Sequence, residues 1–146
     1  MKICVQGNKK TGKTTFIKNN YPKNVVGLIT RRTRAGVIIG YMRDHKILKW
    51  KKCGKIVNNK MTAIIEVFEN FGVEIINKLM KVKNKTIVID EIGFLELQAP
   101  KYCAALKKLL NEKNDIIAAL RNESNELIDY FKNNVNKIYL TDKIKK

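Results

Sequence analysis

The chain has 146 residues and carries 30 Lys+Arg against 13 Asp+Glu, a formal net charge of +17 with its one histidine neutral. That length suits one domain and not two, and an apolar share of 45% is a globular value that excludes wholesale disorder. No apolar run is long enough to cross a bilayer, Met1-Lys2 leads straight into a strand-like segment and not a cleavable leader, and three scattered cysteines without a C-x-x-C pair argue against a zinc site or a disulfide framework. A reducing, cytoplasmic setting without membrane contact follows. Only 5 of the basic residues are arginines, and the lysines are spread along the chain, so the charge reads as background rather than as a nucleic-acid site.

In chain order, residues 2–6 alternate into a short apolar strand that buries Cys4, and 13–20 read as a helix ended by Asn19-Asn20-Tyr21-Pro22. Residues 24–30 read as a buried strand. Residues 36–43 and 45–50 pattern as a β-hairpin turning near Arg43-Asp44, with Tyr41 and Trp50 packed and His45 on the surface. Over 62–80, Ile64, Ile65, Phe68, Phe71, Ile75, Ile76 and Leu79 recur at helical spacing, which predicts one long amphipathic helix. Residues 85–90 form a nearly all-apolar strand ending in an acid. Residues 100–111 read as a helix with Pro100 in its first turn, 114–120 as a buried strand, 124–133 as a helix opened by Ser124, and 136–141 as a last strand. Apolar strands alternating with helices predict a three-layer α/β fold. Its central sheet is mainly parallel, with an antiparallel hairpin extension over 24–50. No repeat or linker divides the chain, so residues 1–146 read as a single domain.

The strongest chemical signal is Gly7-Asn8-Lys9-Lys10-Thr11-Gly12-Lys13-Thr14, which matches G-x-x-x-x-G-K-[ST] between a strand and a helix. In that context the loop amides form an anion nest and the helix start adds its dipole. Gly7 and Gly12 permit backbone shapes and close approach that a side chain blocks. Lys13 reaches the β- and γ-phosphates, the Thr14 hydroxyl coordinates Mg²⁺, and Thr15 reaches the α-phosphate. The second signal is Ile87-Val88-Ile89-Asp90-Glu91, an apolar strand ending in two carboxylates. Asp90 is the candidate Mg²⁺ holder and Glu91 the candidate base that orients and deprotonates water. Both signals lie at the carboxyl ends of strands, where open α/β sheets bind ligands. Arg31, Arg32 and Arg34 follow one strand and Arg121 another; any of them could stabilise charge on a transferring phosphoryl group, and Arg34 and Arg121 are the catalytic candidates.

With these residues in place, the chain resembles the small P-loop nucleoside-triphosphatases of the THEP-type, or cancer-related, family. Gly27-Leu28-Ile29-Thr30 with Arg34, Gly36 and Gly40-Tyr41 is similar to that family's G-F-x-T-E-E-V-R hairpin and following G-F pair. Phe68-Glu69 is similar to its F-E pair, and Asp90-Glu91-Ile92-Gly93-Phe94-Leu95-Glu96-Leu97 to its D-E-I-G-K-M-E-L stretch. The resemblance implies Mg²⁺-dependent hydrolysis of nucleoside triphosphates such as ATP or GTP, with broad base tolerance. The chain departs from the pattern at four places. Arg31-Arg32 replace two glutamates, Phe94 replaces a lysine, Ala119-Leu120-Arg121 replaces T-I-P, and Thr141-Asp142-Lys143-Ile144 lacks the terminal Asn-Arg. Two other readings of the same residues stay open: a nucleotide or small-molecule kinase, and a nucleotide-gated module that binds nucleic acid.

Overall fold

The computed structural model describes residues 1–8 and 10–141. In chain order the elements are β1 (Lys2–Gly7), α1 (Lys13–Asn20), β2 (Val25–Thr33), β3 (Gly36–Arg43), β4 (Lys46–Val57), β5 (Lys60–Ala63) and α2 (Ile65–Val67). A π-helical turn (Phe68–Gly72), α3 (Val73–Leu79), β6 (Thr86–Ile92), a 3-10 turn (Leu95–Gln98), α4 (Pro100–Leu110), β7 (Ile116–Arg121), α5 (Glu126–Asn133) and β8 (Lys137–Leu140) follow. The described strands form one sheet in the order β5-β4-β3-β2-β6-β7-β1-β8. Strands β2, β6, β7, β1 and β8 are mutually parallel, while β2 through β5 run as an antiparallel meander. The α/β architecture with an antiparallel extension is therefore the one the patterning predicts.

Side-chain alternation explains the layers. On β1, Ile3 and Val5 join Ile17 of α1, Ile29, Val88 and Ile117 in a core on one face, whereas Cys4 joins the larger core on the other. That larger core holds Phe68, Phe71, Ile75, Ile76 and Leu79 against Tyr102, Leu106, Ile128 and Phe131. Strands β6 and β7 are apolar on both faces because both faces are covered, as parallel strands require.

Several boundaries differ from the sequence pattern. The antiparallel region is longer: β4 continues to Val57 and turns through Asn58 and Asn59, both left-handed with φ 50° and 64°, into β5. Consecutive asparagines tolerate that conformation and close a tight hairpin. Residues 62 and 63 belong to β5, so helical backbone starts at Ile65, and the stripe then passes through the π turn at Phe68–Gly72. Helix α5 is capped by Asn125, whose Oδ1 accepts the Ile128 N–H at 2.9 Å; the Ser124 hydroxyl instead donates to the Asp129 carboxylate. Tyr41 is buried as expected, but Trp50 is not packed: it is 58% exposed on β4. His45 is half-buried and its Nε2 lies 2.7 Å from the Tyr21 carbonyl, so the turn holds it.

Candidate active site

Strand β7 stands between β1 and β6. The tips of the two motif strands are therefore two strand spacings apart, about 10 Å. Into that gap the Gly7–Thr14 loop rises from β1 and closes onto α1. Gly12 has φ 93° with no atom near its missing Cβ, so its requirement is conformational. Lys10 also adopts a left-handed backbone, φ 56°. Gly7 has a different reason: a Cβ there would lie 1.7 Å from Thr141 Oγ1 and 2.7 Å from Thr11 Oγ1. The Thr141 hydroxyl, buried, donates to Thr11 Oγ1 at 2.7 Å, and Thr11 donates to the Asn8 carbonyl at 2.6 Å. Asn8 Oδ1 accepts from Asn122 Nδ2 at 3.1 Å. Lys9 lies outside the described residues, as do Asp142, Lys143 and Ile144.

The two motifs meet through their side chains. Lys13 is only 7% exposed; its Nζ donates to the carbonyls of Gly7 at 2.5 Å and Asn8 at 3.2 Å, and lies 3.1 Å from Glu91 Oε2. Thr14 Oγ1 donates to Asp90 Oδ2 at 2.8 Å. Burial pushes the Asp90 carboxyl above its ordinary range, and the neighbouring Glu91 charge adds to this. The Thr14 hydroxyl, Arg31 and Lys13 oppose it.

A supporting layer holds the segment that bears these acids. Thr30 Oγ1 donates to the Glu91 carbonyl at 2.7 Å, and the Glu91 N–H lies 3.3 Å from the same oxygen. Two residues on, the Gly93 N–H donates to Glu96 Oε2 at 2.8 Å while Asn125 Nδ2 donates to the Gly93 carbonyl at 2.9 Å. Sequence reasoning assigned no site role to Thr30, Glu96, Asn122, Asn125 or Thr141. Thr141 reaches Thr11, 130 positions away, and Asn122 reaches Asn8, so only the fold shows these contacts; Glu96 and Asn125 also make bonds three residues away.

Glu96 has a measurable consequence. Burial raises its carboxyl from 4.5 to about 7, with the Glu91 and Glu123 charges adding and the Gly93 N–H opposing. Below pH 4.5 both folded and unfolded chains hold this proton. Between there and about 7 the unfolded chain loses it and the native protein keeps it, so stability falls as pH rises. The loss is of the order of ~3 kcal/mol and is complete above the native value. Glu96→Gln cannot ionise, and relative to the unsubstituted protein it is expected to gain about that much stability on going from mildly acidic to mildly alkaline buffer. Urea denaturation of both proteins across this range is the check; parallel pH profiles would show that Glu96 is not the titrating group.

A cleft of about 1380 Å³ opens over the loop. One wall is Lys10 to Phe16 with Asn19 and Asn20; the other is Thr30 to Arg34, with Asp90, Glu91 and Thr141 at the base. Arg31, Arg32 and Arg34 thus reach the cleft, and Thr14 and Thr15 line it. Arg121 does not. Its guanidinium lies 5.3 Å from the Phe94 ring centroid, with Nε 4.0 Å from Glu123. It lines a separate 80 Å³ cavity behind Glu91. The proline of the family's T-I-P is replaced here by an arginine that turns away from the loop. Among the described residues no helix is long and apolar enough to cross a membrane.

Comparison with known proteins agrees with this geometry. A family model described as NTPase matches residues 2–146. The nucleoside-triphosphatase THEP1 of Methanocaldococcus jannaschii is 29% identical over 133 residues, which cover 82% of this chain and 78% of that protein. The protein of the same name from Thermotoga maritima is 28% identical over 135 residues, covering 83% and 74%. The crystal structure of THEP1 from the hyperthermophile Aquifex aeolicus shares the fold with a TM-score of 0.74 at 22% identity, covering 96% of this chain and 88% of that one. The solution structure of a human cancer-related nucleoside triphosphatase does so with a TM-score of 0.64 at 14% identity, covering 94% and 87%. With a P-loop and an acid-tipped strand meeting at one cleft and a family match running almost end to end, the chain belongs to the NTPase family and is a nucleoside-triphosphatase enzyme.

Proposed function

We propose that the protein hydrolyses ATP- or GTP-type nucleotides to the diphosphate and phosphate with Mg²⁺, by in-line attack of water on the γ-phosphate. The observation that carries this reading is the Lys13–Glu91 contact of 3.1 Å, which puts a phosphate-binding cation and a base-type carboxylate at one point. In this reading the amides of Gly7 to Thr15 and the Lys13 ammonium bind the phosphates. Glu91 orients the water and accepts its proton. Arg34, on the opposite wall, meets the charge that develops on the γ-phosphoryl oxygens. Arg121, our other catalytic candidate, would act only from behind Glu91.

Thr14 and Asp90 are the residues that would hold Mg²⁺. Their oxygens are hard donors 2.8 Å apart, and a carboxylate whose charge is disfavoured by burial gains from a cation beside it. Bound there, the ion would supply positive charge against the phosphates of the nucleotide. We also read residues 1–146 as one domain, and the free thiols of Cys4, Cys53 and Cys103 as suited to a reducing cytoplasm.

A second reading draws on the cleft volume and the three arginines on its wall: a kinase whose acceptor sits where water would attack. One experiment separates the two. A panel of nucleoside triphosphates is incubated with Mg²⁺, with and without candidate acceptors, and free phosphate and labelled products are measured together. Phosphate release from ATP and GTP without acceptor, abolished by EDTA, is the expected result. Label transfer with no free phosphate would establish the kinase, and turnover untouched by EDTA would remove the metal from the mechanism.

A further inference from the structure

The antiparallel extension carries a surface that shares only Arg31 with the hydrolytic cleft. Cross-strand partners share a sheet face. Ile29, Gly40 and Trp50 form one row across β2, β3 and β4, and Arg31, Ile38 and Lys52 the next. Ile29 packs with Ile17 of α1, so these rows lie on the α1 face. Beyond α1 that face is uncovered at Trp50, which is 58% exposed. The surface is continuous with the cleft, because Arg31 lines both.

Its charge has one sign. Residues 45–65 contain no Asp or Glu; of their six lysines, Lys49 and Lys51 pair with Tyr41 and Ile39 of the larger core and so lie on the opposite face, while Lys52 shares the row of Arg31. Among the described residues no ion pair involves these lysines. A solvated lysine face needs no explanation by itself, but an exposed indole set among unpaired cations does. Stacking on an aromatic plane plus phosphate contacts from flanking cations is the chemistry that holds an unpaired nucleic-acid strand. A duplex hides its base faces in its own stack and cannot use the indole.

We propose that the uncovered face of β2, β3 and β4 binds single-stranded nucleic acid, with a base stacked on Trp50 and the backbone on Lys52 and Arg31. The proposal does not depend on the hydrolytic reading, and its test contains no nucleotide triphosphate.

Trp50 is the chain's one tryptophan, so its emission reports the site directly. Titration with a twelve-nucleotide oligo-U or oligo-dT at low salt is expected to quench it saturably. A random duplex of equal length is expected to bind weakly, to fade between low and physiological salt, and to quench little. With fluorescein-labelled oligonucleotide and anisotropy as readout, Trp50→Ala is expected to weaken binding by roughly ten- to a hundredfold, while Trp50→Phe retains most of it. Lys52→Gln should lower the salt slope by about one phosphate contact. Thermal melts of each variant establish that the fold is intact, as an exposed position allows. Three outcomes overturn the proposal: no saturable quenching; equal binding of the oligonucleotide by Trp50→Ala; or inorganic polyphosphate competing as well as the oligonucleotide, which reduces the surface to charge. A blue shift on phosphatidylserine vesicles without oligonucleotide quenching overturns it too, in favour of a lipid-facing surface.

Discussion

Lys13→Ala is expected to lower nucleotide hydrolysis by about 10³-fold or more, since a cation that tracks charge on the transferring phosphoryl group acts mainly in the transition state. The structure adds a second effect. The Lys13 ammonium also holds the Gly7 and Asn8 carbonyls and faces Glu91. Its removal leaves the Gly7 carbonyl and the Glu91 carboxylate without this donor, while Thr11 still serves the Asn8 carbonyl, so a modest fall in melting temperature should accompany the loss of rate. Single-turnover phosphate release with saturating nucleotide, beside a thermal melt, separates the two effects. Unchanged turnover per folded molecule would sink the assignment of this loop.

Glu91→Gln is expected to separate binding from chemistry. Thr30 holds the Glu91 backbone, not its carboxylate, so the amide occupies the same place. It cannot accept the proton, and turnover should fall by roughly 10²–10⁴. Affinity for the nucleotide should rise, because Lys13 loses a competing anion 3.1 Å away. Asp90→Asn should behave differently: the Mg²⁺ requirement shifts first and affinity for the metal complex weakens. Nucleotide affinity and phosphate release are measured for both variants side by side. If Glu91→Gln loses affinity but keeps its rate per bound complex, Glu91 is a binding or structural residue and the hydrolytic scheme fails.

Contiguous chemistry was legible in the sequence. The loop motif, the Asp90-Glu91 strand tip and the bounds of α1 follow from short-range rules, because the residues that define them are neighbours in the chain. The alternation of strands and helices gave the layers, and the run of strands between 24 and 50 gave the antiparallel extension. The outer half of β4 was hidden because its lysines, Lys49, Lys51, Lys52 and Lys55, mask alternation on a strand with little buried surface. Trp50 was misplaced because hydrophobic size argues for burial, and only the fold shows that nothing covers the strand face on which it lies. Arg121 sits at the tip of β7 beside Gly7, as its position in sequence suggests. Its side chain direction depends on Phe94 and Glu123, which no spacing rule connects to it. Thr30 and Thr141 act through tertiary hydrogen bonds, and Glu96 through a bond to Gly93 three residues away; the family-like stretches contain all three but do not show what they hold.

The position of β1 also matters during synthesis. It is the first of the described strands, yet its two partners, β7 and β8, are the last two of them in the chain. Throughout translation β1 therefore waits with both edges open, beside an apolar sequence that invites wrong pairing. The floor of the phosphate loop waits as well, because Thr141, which anchors Thr11 and crowds Gly7, follows every described strand. Nascent chains halted before β8 should have the loop sequence but not the loop. For such chains nucleotide offers little stabilisation until β7 and β8 arrive.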